Sequence, residues 1–161
     1  MIRSYIAIGS NLGDPISQTM SAIKALKQIP AITVVAESSL YSSTPMGPQN
    51  QPDYINAVVA IDTTLTPLEL LNATQAIELE HGRVRKDERW GPRTLDLDII
   101  LYSDQEHHCE RLTVPHYGMK VREFVLYPLA EIIPDLILPD NTALSQLLTQ
   151  VDRNGLAIWQ A

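Results

Sequence analysis

Residues 89–100 read Arg-Trp-Gly-Pro-Arg-Thr-Leu-Asp-Leu-Asp-Ile-Ile, and the rest of the chain is organised around this stretch. Gly91-Pro92 is a turn signal. From residue 95 onward, aliphatic residues alternate with aspartates, as in a β-strand whose side chains point to opposite faces in turn. The pattern therefore predicts a loop that leads into a strand over residues 95–102, with Asp96 and Asp98 on the same face.

Two carboxylates on one strand face form a candidate metal site. Residues two apart on a strand lie about 6.5–7 Å apart at Cα, and their charges repel unless a cation, protons or water relieve them. Hard oxygen ligands suit Mg²⁺ or Mn²⁺, and Arg93 lies just upstream, at the edge of the same site. The alternative is that Asp96 and Asp98 are the solvated face of an edge strand, although aspartate is depleted in strands.

Length and charge restrict the classes of ligand. The 161 residues fit one domain, residues 1–161, with a sizeable core. The formal charge of −7 disfavours extensive binding to nucleic acid or to a membrane surface. Eight of the twelve Lys and Arg residues nevertheless lie between residues 83 and 122. A local arginine cluster in an acidic protein favours a small anionic ligand, such as a nucleoside triphosphate.

Cysteine usage and hydropathy bear on the compartment. Cys109 is the single cysteine, so no internal disulfide can form, which is consistent with a reducing cytosol. No signal peptide opens the chain, and no apolar run reaches the roughly 18 residues of a membrane span. We therefore expect a monomeric cytoplasmic protein that acts on small molecules and binds neither nucleic acid nor membranes.

The remaining segments predict an alternation of strands and helices. One helix begins after Asp14 as its N-cap, and a second begins at the capping box of Thr66 and Glu69. This order predicts a ferredoxin-like split βαβ fold, an α+β sandwich with a mainly antiparallel sheet, helices on one face, and the site on the other face or at an edge. The strands are predicted over residues 4–9, 32–41, 54–62 and 95–102, and the inner stripe of the first helix over Ile16, Met20, Ile23 and Leu26.

Tyr54 and Asn56 share one face of their predicted strand because side chains repeat with a period of two. An aromatic plane beside an amide can stack on a flat heterocycle and read its donor and acceptor groups. On these residues alone, ordinary core packing is the alternative.

Three motifs together resemble one known family. Residues 89–100 match its signature of a basic residue, any residue, Gly-Pro-Arg, two residues and Asp-aliphatic-Asp-aliphatic-aliphatic. Residues 47–57 carry Gly-Pro-Gln-x-Gln-Pro-x-Tyr-x-Asn-Ala, and residues 111–116 carry Arg-x-Thr-x-Pro-His. The chain resembles the 6-hydroxymethyl-7,8-dihydropterin pyrophosphokinase family of folate biosynthesis over nearly its whole length. One departure is that relatives often have Thr-Pro-Pro-aliphatic-Gly at residues 43–47, where this chain has Ser-Thr-Pro-Met-Gly.

The resemblance implies an ATP- and Mg²⁺-dependent transferase, a kinase that moves pyrophosphate from ATP to 6-hydroxymethyl-7,8-dihydropterin and releases AMP. It implies that Asp96 and Asp98 hold two Mg²⁺ ions and that Arg83, Arg93, Asp96 and Asp98 are catalytic. The residues that it implies at the ATP site are Gln75, Glu78, Arg85, Trp90, Ile99, Arg111, Thr113, His116, Tyr117 and Arg122. Those that it implies at the pterin site are Ser43, Thr44, Pro45, Met46, Tyr54, Asn56 and Phe124.

Two loops are predicted to close over the bound substrates. Residues 82–91 are charged, bounded by glycines, and carry Trp90, whereas residues 43–53 border the predicted pterin site. We expect both to close when nucleotide, metal and pterin are all bound, with Trp90 excluding water. The alternatives are a fixed phosphate cradle and a passive connector.

Two other functions stay open from the sequence. A non-catalytic nucleotide-sensing module would need the arginines but not the paired aspartates. A metal-dependent nucleotide hydrolase would release AMP without any pterin.

Overall fold

The computed structural model describes residues 1–10, 14–43, 54–81 and 95–159. The strands are β1 (Ile2–Ser10), β2 (Ile32–Glu37), β3 (Tyr41–Ser43), β4 (Tyr54–Thr63), β5 (Asp96–Tyr102), β6 (His107–His108), β7 (Thr113–Val114) and β8 (Ala157–Ile158). The helices are α1 (Pro15–Lys27), α2 (Pro67–Glu80), α3 (Glu123–Ile132) and α4 (Leu144–Gln150), with a short 3-10 helix at Met119–Val121.

The main sheet has the strand order β5-β1-β4-β3-β8, and β2 also pairs with β4. Every paired strand in it is antiparallel to its neighbour. The two βαβ units interleave so that β1 and β4 occupy the centre, which is the split βαβ arrangement. The predicted α+β fold class with a mainly antiparallel sheet is confirmed.

The register across the sheet centre brings two distant parts of the chain together. Gly9 on β1 pairs with Asn56 on β4 and with Asp96 on β5. Ala7, the next β1 residue on that face, pairs with Asp98. Directly opposed residues of antiparallel strands share a face, so Asn56 and both aspartates lie on the same face of the sheet. Only β1 separates β4, the predicted pterin strand, from β5, the predicted metal strand.

Helices cover both faces of the sheet, so the prediction that they lie on one face is wrong. One core lies under α1 and α2 and includes Ile6, Leu26 and Leu70. The other lies under α3 and α4 and includes Leu126 and Leu144. The sequence of β4 agrees with this arrangement. Residues 57–61 are all apolar and buried, as expected for a strand that is covered on both faces and therefore does not alternate apolar with polar residues.

Met20 does not belong to the inner stripe of α1, which corrects the prediction. It is 59% exposed, whereas the buried positions are Thr19, Ala22, Ile23 and Leu26. Successive helical residues turn by about 100°, so Met20 lies about 110° around the helix from the centre of that buried stripe. The predicted start of the helix is confirmed, because the Asp14 side chain accepts a hydrogen bond from the Ser17 amide.

The predicted strand over residues 32–41 is broken into β2 and β3 at residues 38–40. Ser38 continues the contact with β4 through its hydroxyl, which accepts a hydrogen bond from the Val58 amide at 2.9 Å. The Ser39 amide instead donates to Glu131 at the end of α3. The Tyr41 hydroxyl also donates to Glu131, at 2.6 Å, so one carboxylate fixes the start of β3.

The part of the chain after β5 adds short strands and further helices to the sandwich. β6 and β7 form a short two-stranded sheet, and α4 follows near the end of the chain. α3 begins at Glu123, and Pro128 lies inside it. Within the described ranges, no helix combines the length and the apolar character needed to cross a lipid bilayer.

Candidate active site

A cleft of about 290 Å³ opens along the outer edge of β5. It lies between α2, β5 and the segment that follows β6. The residues from the predicted ATP and metal sites that line it are Gln75, Glu78, Asp96, Asp98, Ile99, Arg111, Thr113, His116 and Tyr117. Residues from three separate segments therefore converge as the resemblance implied, although their individual roles stay predictions. The lining residues that were not predicted from the sequence are Leu71, Leu97, Glu110 and Leu112.

Asp96 and Asp98 lie on the same face of β5, as the alternation predicted, and both are partly exposed. Their direct neighbours on β1 are the small residues Gly9 and Ala7. Among the described residues, no group of three or more His, Cys, Asp or Glu side chains is placed to hold a metal ion. A pair of carboxylates fits Mg²⁺, which typically takes one or two carboxylates together with substrate phosphates.

Glu78 is buried, with 2% of its surface exposed, so it does not belong to the solvated face of α2. Its carboxylate accepts a hydrogen bond from the Leu97 amide at 2.8 Å. Because β5 is at the edge of the sheet, its outward amides need partners from outside the sheet. Glu78 supplies one, and it thereby fixes α2 against the strand that carries the two aspartates.

Arg111 is held by neutral side chains. Its guanidinium donates to Asn72 Oδ1 at 2.7 Å and to Gln75 Oε1 at 3.2 Å. Both acceptors are amide oxygens, which orient the guanidinium without neutralising its charge. Arg111 therefore keeps its positive charge for an anionic ligand in the cleft. Asn72 was missed in the sequence because nothing local in its helix indicates a contact across to residue 111.

His116 is a neutral imidazole with a defined tautomer. Its Nδ1 accepts a hydrogen bond from the Gly118 amide at 3.1 Å, so the ring proton is on Nε2. Nε2 lies 4.0 Å from Asp98 Oδ2, which is too long for a direct hydrogen bond. Burial, helped by the charge of Arg122 and opposed by Asp96, lowers the pKa of His116 to about 4.

Arg122 lies between a residue of the predicted ATP site and a residue of the predicted pterin site. Its guanidinium carbon is 5.6 Å from the ring centroid of Tyr117 and 5.7 Å from that of Phe124. The Tyr117 ring also stacks on His116, with centroids 4.7 Å apart. Gly118 makes room for this cluster, since a Cβ there would lie 2.8 Å from Arg122 Nε.

The predicted pterin residues that the structure describes come from β3, β4 and the first turn of α3. Asn56 is 5% exposed, and Tyr54 is partly buried. Ser43 pairs with Tyr54 in the β3-β4 ladder. Phe124 lies in the first turn of α3 and packs against the core under that helix.

Several predicted site residues lie outside the described residues. These are Thr44, Pro45, Met46, Arg83, Arg85, Trp90 and Arg93. The two loops that were predicted to close over the substrates, residues 43–53 and 82–91, lie outside them as well, except for Ser43.

Paired carboxylates, an arginine and aromatic rings meet in this cleft, and this combination is typical of sites that bind a nucleotide and transfer its phosphoryl groups. A sequence profile of the family described as 7,8-dihydro-6-hydroxymethylpterin-pyrophosphokinase (HPPK) matches residues 5–134. The chain belongs to this family.

Curated relatives agree with the profile. The chain is 54% identical to the 2-amino-4-hydroxy-6-hydroxymethyldihydropteridine pyrophosphokinase of Pseudomonas aeruginosa, over 96% of this chain and 94% of the relative. It is 53% identical to the protein of the same name from Haemophilus influenzae, over 93% of each chain.

A solved structure described as HPPK-DHPS in complex with substrates superposes with a TM-score of 0.72 at 11% identity. It covers 93% of this chain, which spans only 45% of the solved chain's length. At that identity the likeness bears on the fold alone, and it agrees with the ferredoxin-like arrangement.

Proposed function

We propose that this protein transfers pyrophosphate from ATP to 6-hydroxymethyl-7,8-dihydropterin, giving AMP and the dihydropterin diphosphate, as a step of folate biosynthesis. One observation carries the proposal. The cleft that gathers the predicted ATP residues at the edge of β5 lies one strand away from Asn56, the predicted reader of the pterin ring. Family membership and the shared name of the curated relatives support the same reaction.

The reaction joins two substrates without a covalent enzyme intermediate. The hydroxymethyl oxygen of the pterin forms a bond to the β-phosphorus of ATP and loses its proton. The bond from that phosphorus to the oxygen bridging to the α-phosphate breaks, and AMP leaves. Positioning and charge neutralisation are the protein's main tasks in such a transfer.

In the nucleotide half, Arg111 would face phosphate charge, because its described partners leave that charge intact. The neutral His116, with a proton on Nε2, is a hydrogen-bond donor directed toward the Asp98 side. Arg83, Arg85, Arg93 and Arg122 are proposed to neutralise phosphate charge as well. Gln75, Glu78, Ile99, Thr113 and Tyr117 line the proposed nucleotide site, and Trp90 is proposed to cover it.

Asp96 and Asp98 are proposed to hold two Mg²⁺ ions. When bound there, the ions would offset the charge of the triphosphate and of the departing AMP. The two carboxylates lie on the face of the sheet that also carries Asn56, so ions held there would lie on that face.

In the pterin half, the ring of the substrate is proposed to lie between Tyr54 and Phe124. Asn56 would read the donor and acceptor edge of the ring through its carboxamide. Ser43, Thr44, Pro45 and Met46 are proposed to border the ring from the loop that follows β3. We further propose that the chain acts as one domain over residues 1–161, as a monomer, and in the cytoplasm.

The test is incubation with ATP, Mg²⁺ and 6-hydroxymethyl-7,8-dihydropterin, with the nucleotide products resolved by chromatography. The proposal predicts AMP and dihydropterin diphosphate in equal amounts, and neither product when the pterin is omitted. AMP formation without pterin would indicate a nucleotide hydrolase. ATP binding with no AMP under any condition would indicate a non-catalytic sensing module.

A further inference from the structure

Gly9 is a glycine in a strand whose backbone does not require one. It lies near the carboxyl end of β1, within the hydrogen-bonded ladder on both sides. Its φ is outside the left-handed range in which side chains are strained. Glycine weakens strand interiors, and where it occurs there it often marks a place that a ligand or another backbone approaches closely.

A side chain at position 9 would come into close contact with two predicted pterin residues, Asn56 and Tyr54. A Cβ on Gly9 would lie 3.2 Å from Asn56 Oδ1 and 3.8 Å from Tyr54 Cδ1. Contacts between 3.0 and 3.4 Å are tighter than most real Cβ contacts, so the Asn56 carboxamide would have to move by a few tenths of an ångström. Asn56 is 5% exposed and has little freedom to do so without disturbing its neighbours.

Gly9 also lies between the two halves of the proposed site. Its direct neighbours in the sheet are Asn56 on one side and Asp96 on the other. Adjacent strands are about 4.8 Å apart, so these two residues are separated by about 9–10 Å at Cα with only the bare Cα of Gly9 between them. A substrate that is held by Asn56 and reacts beside Asp96 must pass over this position.

We propose that Gly9 is a specificity-determining residue for the pterin. The missing side chain gives the Asn56 carboxamide the room to face the ring edge. It also lets the flat ring lie close to the sheet, with its hydroxymethyl arm over β1. Gly9 is a positioning residue, since it acts through Asn56 rather than on the reacting atoms. This inference rests on the proposed function.

The first test is a size series at position 9. Gly9→Ala and Gly9→Val are titrated by calorimetry with 6-hydroxymethylpterin and, separately, with a non-hydrolysable ATP analogue and Mg²⁺. Displacing a buried hydrogen-bonding group should weaken pterin affinity by about tenfold for alanine and more for valine. Affinity for the ATP analogue should stay within about twofold, because the nucleotide half keeps its contacts.

Thermal unfolding of the same variants separates this role from a structural one. Alanine and especially valine suit strands better than glycine does, which offsets part of the cost of displacing Asn56, so the melting temperature should change little while pterin affinity falls. A joint fall of melting temperature and of both affinities would overturn the proposal. Pterin affinity equal to that of the wild type in Gly9→Val would overturn it too.

A double variant tests whether Gly9 acts through Asn56. In Asn56→Ala the carboxamide that would meet the new Cβ is absent, so Gly9→Ala should cost less than half the fold-change in pterin affinity that it costs in the wild type. This background also relieves the crowding, and the double variant should fold. An equal penalty in both backgrounds would contradict the proposal. In either case, failure of the wild type to form AMP with pterin is a separate result that refutes the proposed function itself.

Discussion

The two halves of the proposed site, one for the nucleotide and one for the pterin, contain different kinds of residue. The nucleotide half, at the edge of β5, collects charged, amide and aromatic side chains from three segments around one cleft. The proposed pterin half combines two aromatic rings, Tyr54 on β4 and Phe124 on α3, with the Asn56 carboxamide and with Gly9, which has no side chain. Phosphate charge can be met by several long side chains at once, whereas a flat ring needs a few groups in fixed positions.

The halves also differ in how they are held. Glu78 fixes α2 to β5, and neutral amides orient Arg111, so the nucleotide half depends on side-chain hydrogen bonds between elements. Asn56 instead is held by strand pairing on both sides, with Gly9 on β1 and Tyr41 on β3. We therefore expect substitutions in each half to act on one substrate selectively.

The largest effect is expected from removing either carboxylate of the proposed metal site. Asp96→Asn or Asp98→Asn should lower AMP formation by about 10³-fold or more, since charge stabilisation of the transferred phosphates is lost. The matched control is Asp62→Asn, which removes a surface carboxylate that pairs with Arg3 at 2.6 Å on the same sheet and should keep normal turnover. Near-normal turnover in both site variants would show that the two aspartates are only a solvated strand face.

A smaller and more selective effect is expected from Asn56→Ala. If the carboxamide binds the ring as proposed, its loss leaves buried polar groups of the pterin unpaired, at a cost of about 1–3 kcal/mol. The KM for the pterin should therefore rise by about 5- to 150-fold while the KM for ATP stays within about twofold. Steady-state kinetics with each substrate varied in turn checks this. If both KM values rose together, the division of the site into two halves would be wrong.

The hydrogen bond between Glu78 on α2 and the Leu97 amide on β5 can be tested by measuring the free energy of unfolding. Glu78→Ala leaves the Leu97 amide without this acceptor and should lower the free energy of unfolding by about 1–3 kcal/mol. Glu78→Gln keeps an amide oxygen in place and should recover much of that loss. Glu80→Ala, on the exposed side of the same helix, is the control. Urea denaturation that ranked the glutamine variant with the alanine variant would argue against the contact.

The smallest effect concerns the charge of Arg111. Asn72→Asp replaces a neutral acceptor with a carboxylate, which should offset the guanidinium charge and raise the KM for ATP by about two- to fivefold, as expected for an exposed pair worth about 0.5–1 kcal/mol. Asn72→Ala should raise it less, and neither should change the KM for the pterin. A higher ATP affinity in Asn72→Asp would contradict the idea that neutral partners keep the charge available.

The sequence predicted the elements well where local patterns decide them. Alternating aspartates predicted β5 and its face, and Thr66 with Glu69 predicted the start of α2, where both reciprocal hydrogen bonds of the capping box form. Met20 was wrongly assigned to the buried face of α1 because the predicted apolar stripe and the observed buried stripe overlap on the surface of the helix. Helices on both faces were missed, although the unbroken apolar run of β4 indicated them.

The details of the site were harder to predict because they depend on register and on contacts between distant segments. Nothing near Glu78 in the sequence indicates that its carboxylate binds the amide of Leu97. The position of Gly9 between Asn56 and Asp96 follows only once the pairing of three strands is known. The resemblance supplied the members of the site, and the structure supplied the geometry of those members that it describes.

The most direct test of the divided site is a set of four calorimetric titrations. Asp98→Asn and Asn56→Ala are each titrated with a non-hydrolysable ATP analogue in the presence of Mg²⁺ and, separately, with 6-hydroxymethylpterin. We predict that Asp98→Asn loses affinity for the nucleotide and keeps its affinity for the pterin. Asn56→Ala should show the opposite pattern. If each variant weakened the binding of both ligands by the same factor, the site would be a single coupled unit, which would contradict its division into a nucleotide half and a pterin half.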